Sequence, residues 1–289
     1  MKLCYCVWFC LFIFSLVSGC AHACQRQVTH PLLESSKDIL IKSLLELILS
    51  KTTSSICLKE IDDVVTEARK GKYIQDGIID VQWASAGSHA SQYTLPITKP
   101  IFLGLTGMRV FVIRKGEQAR FDKINTLHDL RGLKAGQGLF WGDTKVLQAA
   151  GLPVTTSAQA RRLWHMLYLK RFDYLPLGVH EPWKDLAMRQ DLELEVERNL
   201  LLVYPSGLYF YVNQQNKSLY QLITDGFDKA LADGSYQAKL RQSNMIQSVL
   251  KYANLEQRRV IYLANPLVAS TDKAGNNEFT LPRFLQSAQ

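Results

Sequence analysis

The chain has 289 residues and a formal charge of +8, from 34 Lys and Arg against 26 Asp and Glu. A chain of this length can bury a substantial core, as one large domain or as two lobes. Its Lys and Arg residues are scattered with no aromatic-interleaved stripe, which argues against nucleic acid and leaves a solvated basic surface, an anionic ligand or a membrane surface.

Lys2 precedes an apolar run from Leu3 to Val17, followed by the small residues Ser18 and Gly19 and then Cys20. The run is too short to span a bilayer comfortably. Residues 1–23 therefore read as a secretory leader, with cleavage before Cys20 or before Cys24. Val17-Ser18-Gly19-Cys20 resembles a lipobox, whereas Ala21-His22-Ala23 suits ordinary signal peptidase. The expected location is the periplasm, with the protein either free or lipid-anchored through Cys20. Cys4, Cys6, Cys10 and Cys20 fall to the leader, so Cys24 and Cys57 are the remaining thiols. They can bridge in an oxidising compartment, or Cys57 is simply a small buried hydrophobe. Their spacing offers no zinc site.

An extended piece around Val28 comes next, then a helix over 37–50 with Ile39, Leu40, Leu44, Leu47 and Ile48 on one face. Ser54 to Ile61 reads as a strand, Asp62 to Lys70 as a helix ended by Gly71, and Ile78 to Ala84 as a third strand. This alternation predicts a parallel sheet. Ligands bind beyond the carboxyl ends of such strands, so the turn that holds Ser85, Gly87, Ser88 and His89 is a site candidate.

Met108 to Arg114 is a β-branched and aromatic strand. Thr126 and Asp129 open a short helix as a capping box, and Lys134 to Gly138 is a strand ending in Gly136, Gln137 and Gly138. A helix starts near Asp143 behind Phe140 and Trp141. Here glycines allow close backbone approach, and Trp141 offers a flat face for stacking. A helix over 158–169 and a strand from Phe172 to Leu177 follow, leading to Gly178, His180 and Glu181. Asp191 to Val196 alternates apolar and acidic residues as one strand with a solvated face. Leu208 to Val212 is a second aromatic strand, ahead of helices over 216–232 and 235–253. Residues 266–289 read as a polar tail.

GMRVFVIRKG at 107–116, NTLHDLRGLKAGQG at 125–138, RFDYLPLG at 171–178 and GFDKALADGSYQAKL at 226–240 carry a resemblance. In this order they resemble the type II periplasmic solute-binding proteins of the polar amino acid class, family 3, over roughly residues 25–265. The resemblance implies a periplasmic binding protein-like II fold, α/β, with two lobes of mixed sheet joined by two hinge strands. One lobe would comprise 24–109 and 209–265, and the other 113–204. It also implies a monomer that captures a small polar solute between the lobes for an ABC permease in the inner membrane. No cofactor, no metal, no catalytic residue and no nucleic acid partner are expected.

The implied ligand-binding residues are Ser85, Gly87, Ser88 and His89 from the first lobe. Gly136, Gln137, Gly138, Phe140, Trp141, Asp143, Gly178 and Glu181 come from the second. The chain departs from its relatives at both ends of an amino acid. No arginine lies between Arg69 and Arg109 to clamp a carboxylate, and Gly178 stands where an acidic residue would hold an ammonium. Arg109 is a candidate replacement for the anion anchor. Losing one partner of a buried, hydrogen-bonded charge pair costs about 2–5 kcal/mol, so an unmodified α-amino acid is not expected in the usual pose. Two other functions fit the same resemblance: a sensing or scaffolding module without transport, and a dehydratase-like enzyme for small carboxylic acids.

Overall fold

A computed structural model describes residues 24–52, 55–86, 88, 94–267, 282 and 285. The expected leader, Gly87, His89 and most of the expected tail lie outside these residues. Among the described residues, no helix is long and apolar enough to cross a membrane.

The chain enters through β1 (Arg26–His30), which pairs in parallel with β2 (Ile56–Glu60) from Arg26↔Ile56 to His30↔Glu60. Cys24 and Cys57 are bridged at the start of this pair, their Cα atoms 5.7 Å apart. Between the strands runs α1 (Ser36–Ser50), whose N-terminal amides are met by the Ser35 side chain, which accepts from the Asp38 N–H. The helix buries Ile41, Leu44, Leu45, Ile48 and Leu49, while Ile39 is 59% exposed. The apolar stripe is therefore rotated from the expected one. The helix carries apolar residues on two overlapping stripes, and its packing against both a strand and a second helix selects between them.

α2 (Glu67–Gln75) begins after Thr66 rather than at Asp62 and runs through Gly71, which is buried mid-helix. The stop comes at Gly77, where φ is +72°. β3 (Val81–Ser85) does not extend the β1–β2 ladder as the alternation suggested. It is instead held beside β1 by Asp80, whose carboxylate accepts from the Thr29 N–H at 2.8 Å.

After the short strand β4 (Thr94–Pro96) comes β5 (Met108–Arg114), every residue of which is buried. The second half of the fold follows with α3 (Gln118–Phe121) and α4 (Leu127–Leu130), the latter opened by the expected Thr126–Asp129 capping box. β6 (Ala135–Gly138), α5 (Gly142–Ala149) and β7 (Val154–Ser157) form a parallel β–α–β unit. α6 (Arg162–Tyr168), β8 (Leu175–Gly178) and α7 (Pro182–Ala187) complete that side. The single strand expected over 191–196 is broken. Residues 190–192 make a 3-10 turn and Glu193 takes φ +48°, leaving β9 as Leu194–Val196.

β10 (Leu200–Val203) returns antiparallel to β5, and β11 (Leu208–Asn213) lies between β3 and β4. α8 (Lys217–Ala232) packs on α1. The helix expected over 235–253 is two helices, α9 (Ser235–Gln242) and α10 (Asn244–Tyr252), divided at Ser243. That residue is extended at ψ 142° and accepts from the Ile246 N–H.

β12 (Arg259–Tyr262) pairs in parallel with β10, whereas the sequence reading grouped these residues with the first lobe. Arg258 anchors this re-entry, donating to the carbonyls of Ala253, Glu197 and Leu200.

The result is two α/β lobes, and the apolar cluster of the first also takes in Val110, Val179 and Leu201 from the second. One core gathers Ile41, Leu44, Phe210, Ile223 and Phe227, and the other Phe111, Phe121, Tyr174, Leu200 and Ile261. The two crossings at Gly107 and Tyr204 touch. The Tyr204 N–H donates to the Gly107 carbonyl at 3.0 Å, and a Cβ on Gly107 would overlap the Tyr204 carbonyl oxygen.

Candidate functional site

A cavity of about 120 Å³ opens between the lobes. Its wall comes from the first turn of α1, the end of β3, the crossing at Arg109, the start of α5 and the turn between β8 and α7. Each of these is a strand end or a helix start, where backbone groups are free to face a guest.

At the root of the cleft, Arg109 donates to Asp143 Oδ1 at 2.7 Å, and the Tyr204 hydroxyl donates to the same oxygen at 2.8 Å. The guanidinium also lies 5.6 Å from the Tyr204 ring centre. Burial works against the Arg109 charge, but Asp143, Tyr204 and Glu181 outweigh it, and the group is held more firmly protonated than usual.

Nearer the mouth, Lys37 of α1 donates to Glu181 Oε1 at 2.6 Å, a contact from one lobe to the other. The second Glu181 oxygen accepts from the Gly178 N–H at 2.7 Å and lies 3.8 Å from Arg109 Nη1. Burial resists the Glu181 charge, yet Lys37, His180 and Arg109 together hold its carboxyl far below the usual range. Burial likewise opposes the Lys37 ammonium, and Glu181 overcomes it, so the net shift is upward. Trp83 donates from its indole to Asp38 Oδ1 at 2.8 Å, which fixes both on the first-lobe wall.

Of the residues expected from sequence, Ser85, Ser88, Phe140, Trp141, Asp143 and Glu181 are brought together on this cavity. Gly178 lies directly beneath Glu181 and supplies it a backbone donor. Gly138 packs under the Trp141 ring, and its carbonyl accepts from the Thr144 hydroxyl. Gly136 and Gln137 are not among the lining residues. Gly136 faces the Phe172 ring, where a Cβ would not fit, and Gln137 is buried with its amide donating to the Pro176 carbonyl. Gly87 and His89 lie outside the described residues.

The cavity is also lined by Lys37, Asp38, Lys70, Thr106 and Leu208, which sequence reasoning passed over, and by Trp83, which belongs to the apolar core as well. The rule that marked the turn after β3 applies equally to the turn after β1. Applied there, it would have reached Lys37 and Asp38.

The lobes are in contact across the cleft. A Cβ on Gly142, the first residue of α5, would overlap the Ala86 carbonyl oxygen of the opposite lobe. Among the described residues, no cluster of three His, Cys, Asp or Glu side chains is placed to hold a metal. Chemically, the site offers two opposed charge pairs, an indole and hydroxyls in a cleft that narrows from the partly exposed Lys37 to the buried Arg109.

The chain matches no protein-family model and no curated protein. Solved structures do share its fold. An ancestral arginine-binding protein bound to arginine is 18% identical, with 75% of this chain and 96% of that one covered at a TM-score of 0.54. A Salmonella typhimurium periplasmic binding protein with high arginine specificity is 15% identical, covering 79% of this chain and 100% of that one at 0.54. A histidine kinase sensor domain with similarity to periplasmic binding proteins is 12% identical, covering 75% and 94% at 0.53. The fold is that of the periplasmic binding protein-like II group, similar to the family 3 amino-acid-binding proteins.

Proposed function

We propose that this chain is an exported solute-binding protein that closes its two lobes on a small polar guest for an ABC-type importer and catalyses no reaction. The observation that carries the reading is the Lys37–Glu181 pair, an ionic contact made from one lobe to the other on the wall of the cleft. A closed cleft excludes water, and charges inside it then act on a guest far more strongly than they would at the surface.

The site is an altered amino-acid site. Glu181 sits three residues beyond Gly178 and folds back on its N–H, which returns a carboxylate to the neighbourhood where relatives carry one. Arg109 and Lys37 supply cationic groups from positions other than the expected one. A guest bearing both charges is accommodated by exchanging with these internal partners, in a pose set by Arg109 and Glu181.

A thermal-shift screen of the chain against amino acids, peptides, sugars, carboxylates and polyamines tests this reading. A ligand at a hundred times its dissociation constant stabilises by about 2.7 kcal/mol. The expected hit is a dipolar compound whose effect is lost in Glu181→Gln, and silence across all five classes would overturn the reading.

A second reading, a ligand-sensing module without transport, draws on the likeness to a histidine kinase sensor domain. It shares the cleft and the guest, and differs in needing no permease.

A further inference from the structure

Val179, just after β8, and Trp183, on the first turn of α7, follow the second-lobe sheet in the chain, yet both reach the apolar cluster around α1 and α8. That cluster takes in Val110 and Leu201 of the second-lobe sheet as well as Leu44 of α1 and Phe227 of α8, so it joins the two lobes. Trp183 leans on the same core, with its ring 5.6 Å from that of Tyr252 on α10. Between them His180, only 2% exposed, stacks on Phe102 of the first lobe at 4.3 Å. Residues 179–183 thus bridge the two lobes as a clasp, and separating the lobes would part the His180–Phe102 and Trp183–Tyr252 contacts.

His180 is the odd member of the clasp. Both Nδ1 and Nε2 are buried with no hydrogen-bond partner. Leaving such atoms unmet is costly, and burying the protonated ring is costlier still. The charged groups around it are Glu181 on its own turn, Lys37 and Asp38 on α1, Lys70 on α2, Arg109 on β5 and Asp143 on α5. Burial lowers the affinity of the ring for a proton; Glu181 works the other way, and Lys37 and Arg109 reinforce burial. The outcome is an imidazole held down to about 4 from its ordinary 6.5.

We propose that His180 makes closure of the lobes, and with it retention of the guest, sensitive to acid: the neutral ring fits the clasp, and the protonated ring is tolerated only once the clasp is withdrawn into water. This rests on the closing reading above. The buried ring takes up a proton only near pH 4, whereas a ring withdrawn into water would do so near its ordinary 6.5. Closure is therefore at full strength above about pH 6.5 and weakens by up to about tenfold per pH unit below it, roughly 300-fold over the whole range. Glu181 keeps its charge through this window, because its own carboxyl is held far lower.

The test compares the full chain with Gly142→Trp, in which an indole at the point of contact with Ala86 wedges the lobes apart. Ser88→Trp places the wedge on the opposite wall should the first variant fail to fold. NMR titration of histidine-labelled protein, with the His180 signal assigned through His180→Gln, reads the ring in both forms, and small-angle scattering reads lobe separation. The expected result is a midpoint near pH 4 in the wild type and near 6.5 in the wedged form. Wedged lobes with an unmoved midpoint would overturn the acid sensitivity and leave the closing reading intact. Wedges that leave the scattering unchanged would overturn both.

Discussion

Arg109 at the start of β5 and Asp143 on the first turn of α5 meet at 2.7 Å, both less than a tenth exposed, where the chain passes from one lobe to the other. The strand that leaves the first lobe is thereby tied to the helix that walls the second half of the cleft. Tyr204, on the returning crossing, donates to the same Asp143 oxygen. Two side chains, Arg109 and Tyr204, thus lock both crossings to the one carboxylate of Asp143.

Asp143→Ala leaves a buried guanidinium without its main counter-ion. Breaking a buried pair in this way costs about 3–5 kcal/mol. Urea unfolding is expected to show that loss, and to show much of it recovered when Arg109→Met is combined with Asp143→Leu. A loss below about 1 kcal/mol would contradict the role assigned to the pair.

Lys37 behaves differently, because a third of its side chain is exposed. Solvent screens such a pair, so Lys37→Ala is expected to change stability by no more than about 1 kcal/mol. Affinity for the guest found in the screen is expected to fall at least about tenfold, since the cleft loses an inter-lobe contact and one of its charges. Calorimetric titration beside chemical unfolding separates the two effects.

The Glu181 carboxyl is held below its usual range. Burial resists this, and Lys37, His180 and Arg109 overcome it. Its stabilising contribution is therefore complete above about pH 4.5, the ordinary value, and is lost only as pH falls below that. The Glu181→Gln variant is expected to match the wild type in slope of stability against pH between 5 and 8 and to diverge from it in more acidic buffer.

The Cys24–Cys57 bridge closes a loop spanning 33 positions around β1 and α1. Chain-entropy arithmetic for such a loop gives roughly 3–4 kcal/mol. A reducing agent is expected to lower the melting temperature of the wild type and to leave a Cys24→Ser/Cys57→Ser variant unmoved.

Gly226 of α8 faces the Ile48 carbonyl of α1 so closely that a Cβ there would overlap it. Gly226→Ala is expected to push the helices apart and to cost about 1–3 kcal/mol despite the better helix propensity of alanine.

The sequence revealed what depends on local pattern. β5 and β11 were visible as aromatic, β-branched runs, and the Thr126–Asp129 box was visible as a helix start. Gly71 misled because glycine in a helix interior is tolerated when it is buried, and the true stop is marked by the left-handed Gly77. β12 was invisible because its place beside β10 depends on Arg258 reaching carbonyls some 60 positions earlier. Half of the site was legible: the turn at Ser85 followed from its strand end, and Asp143 and Glu181 from the resemblance to the solute-binding proteins. The other half, Lys37 and Asp38, looked like an ordinary helix start, and only the apposition of the lobes gives them a common cavity with Glu181.

Closure on a guest shows itself in the distance between the lobes during binding. Spin labels at Gln221 on α8 and His165 on α6, read by pulsed electron resonance at pH 7.5 while the screened compound is titrated in, report that distance. Closure predicts a short-distance population that grows in proportion to bound compound. A distribution unchanged at saturation, in a protein that demonstrably binds, would contradict it.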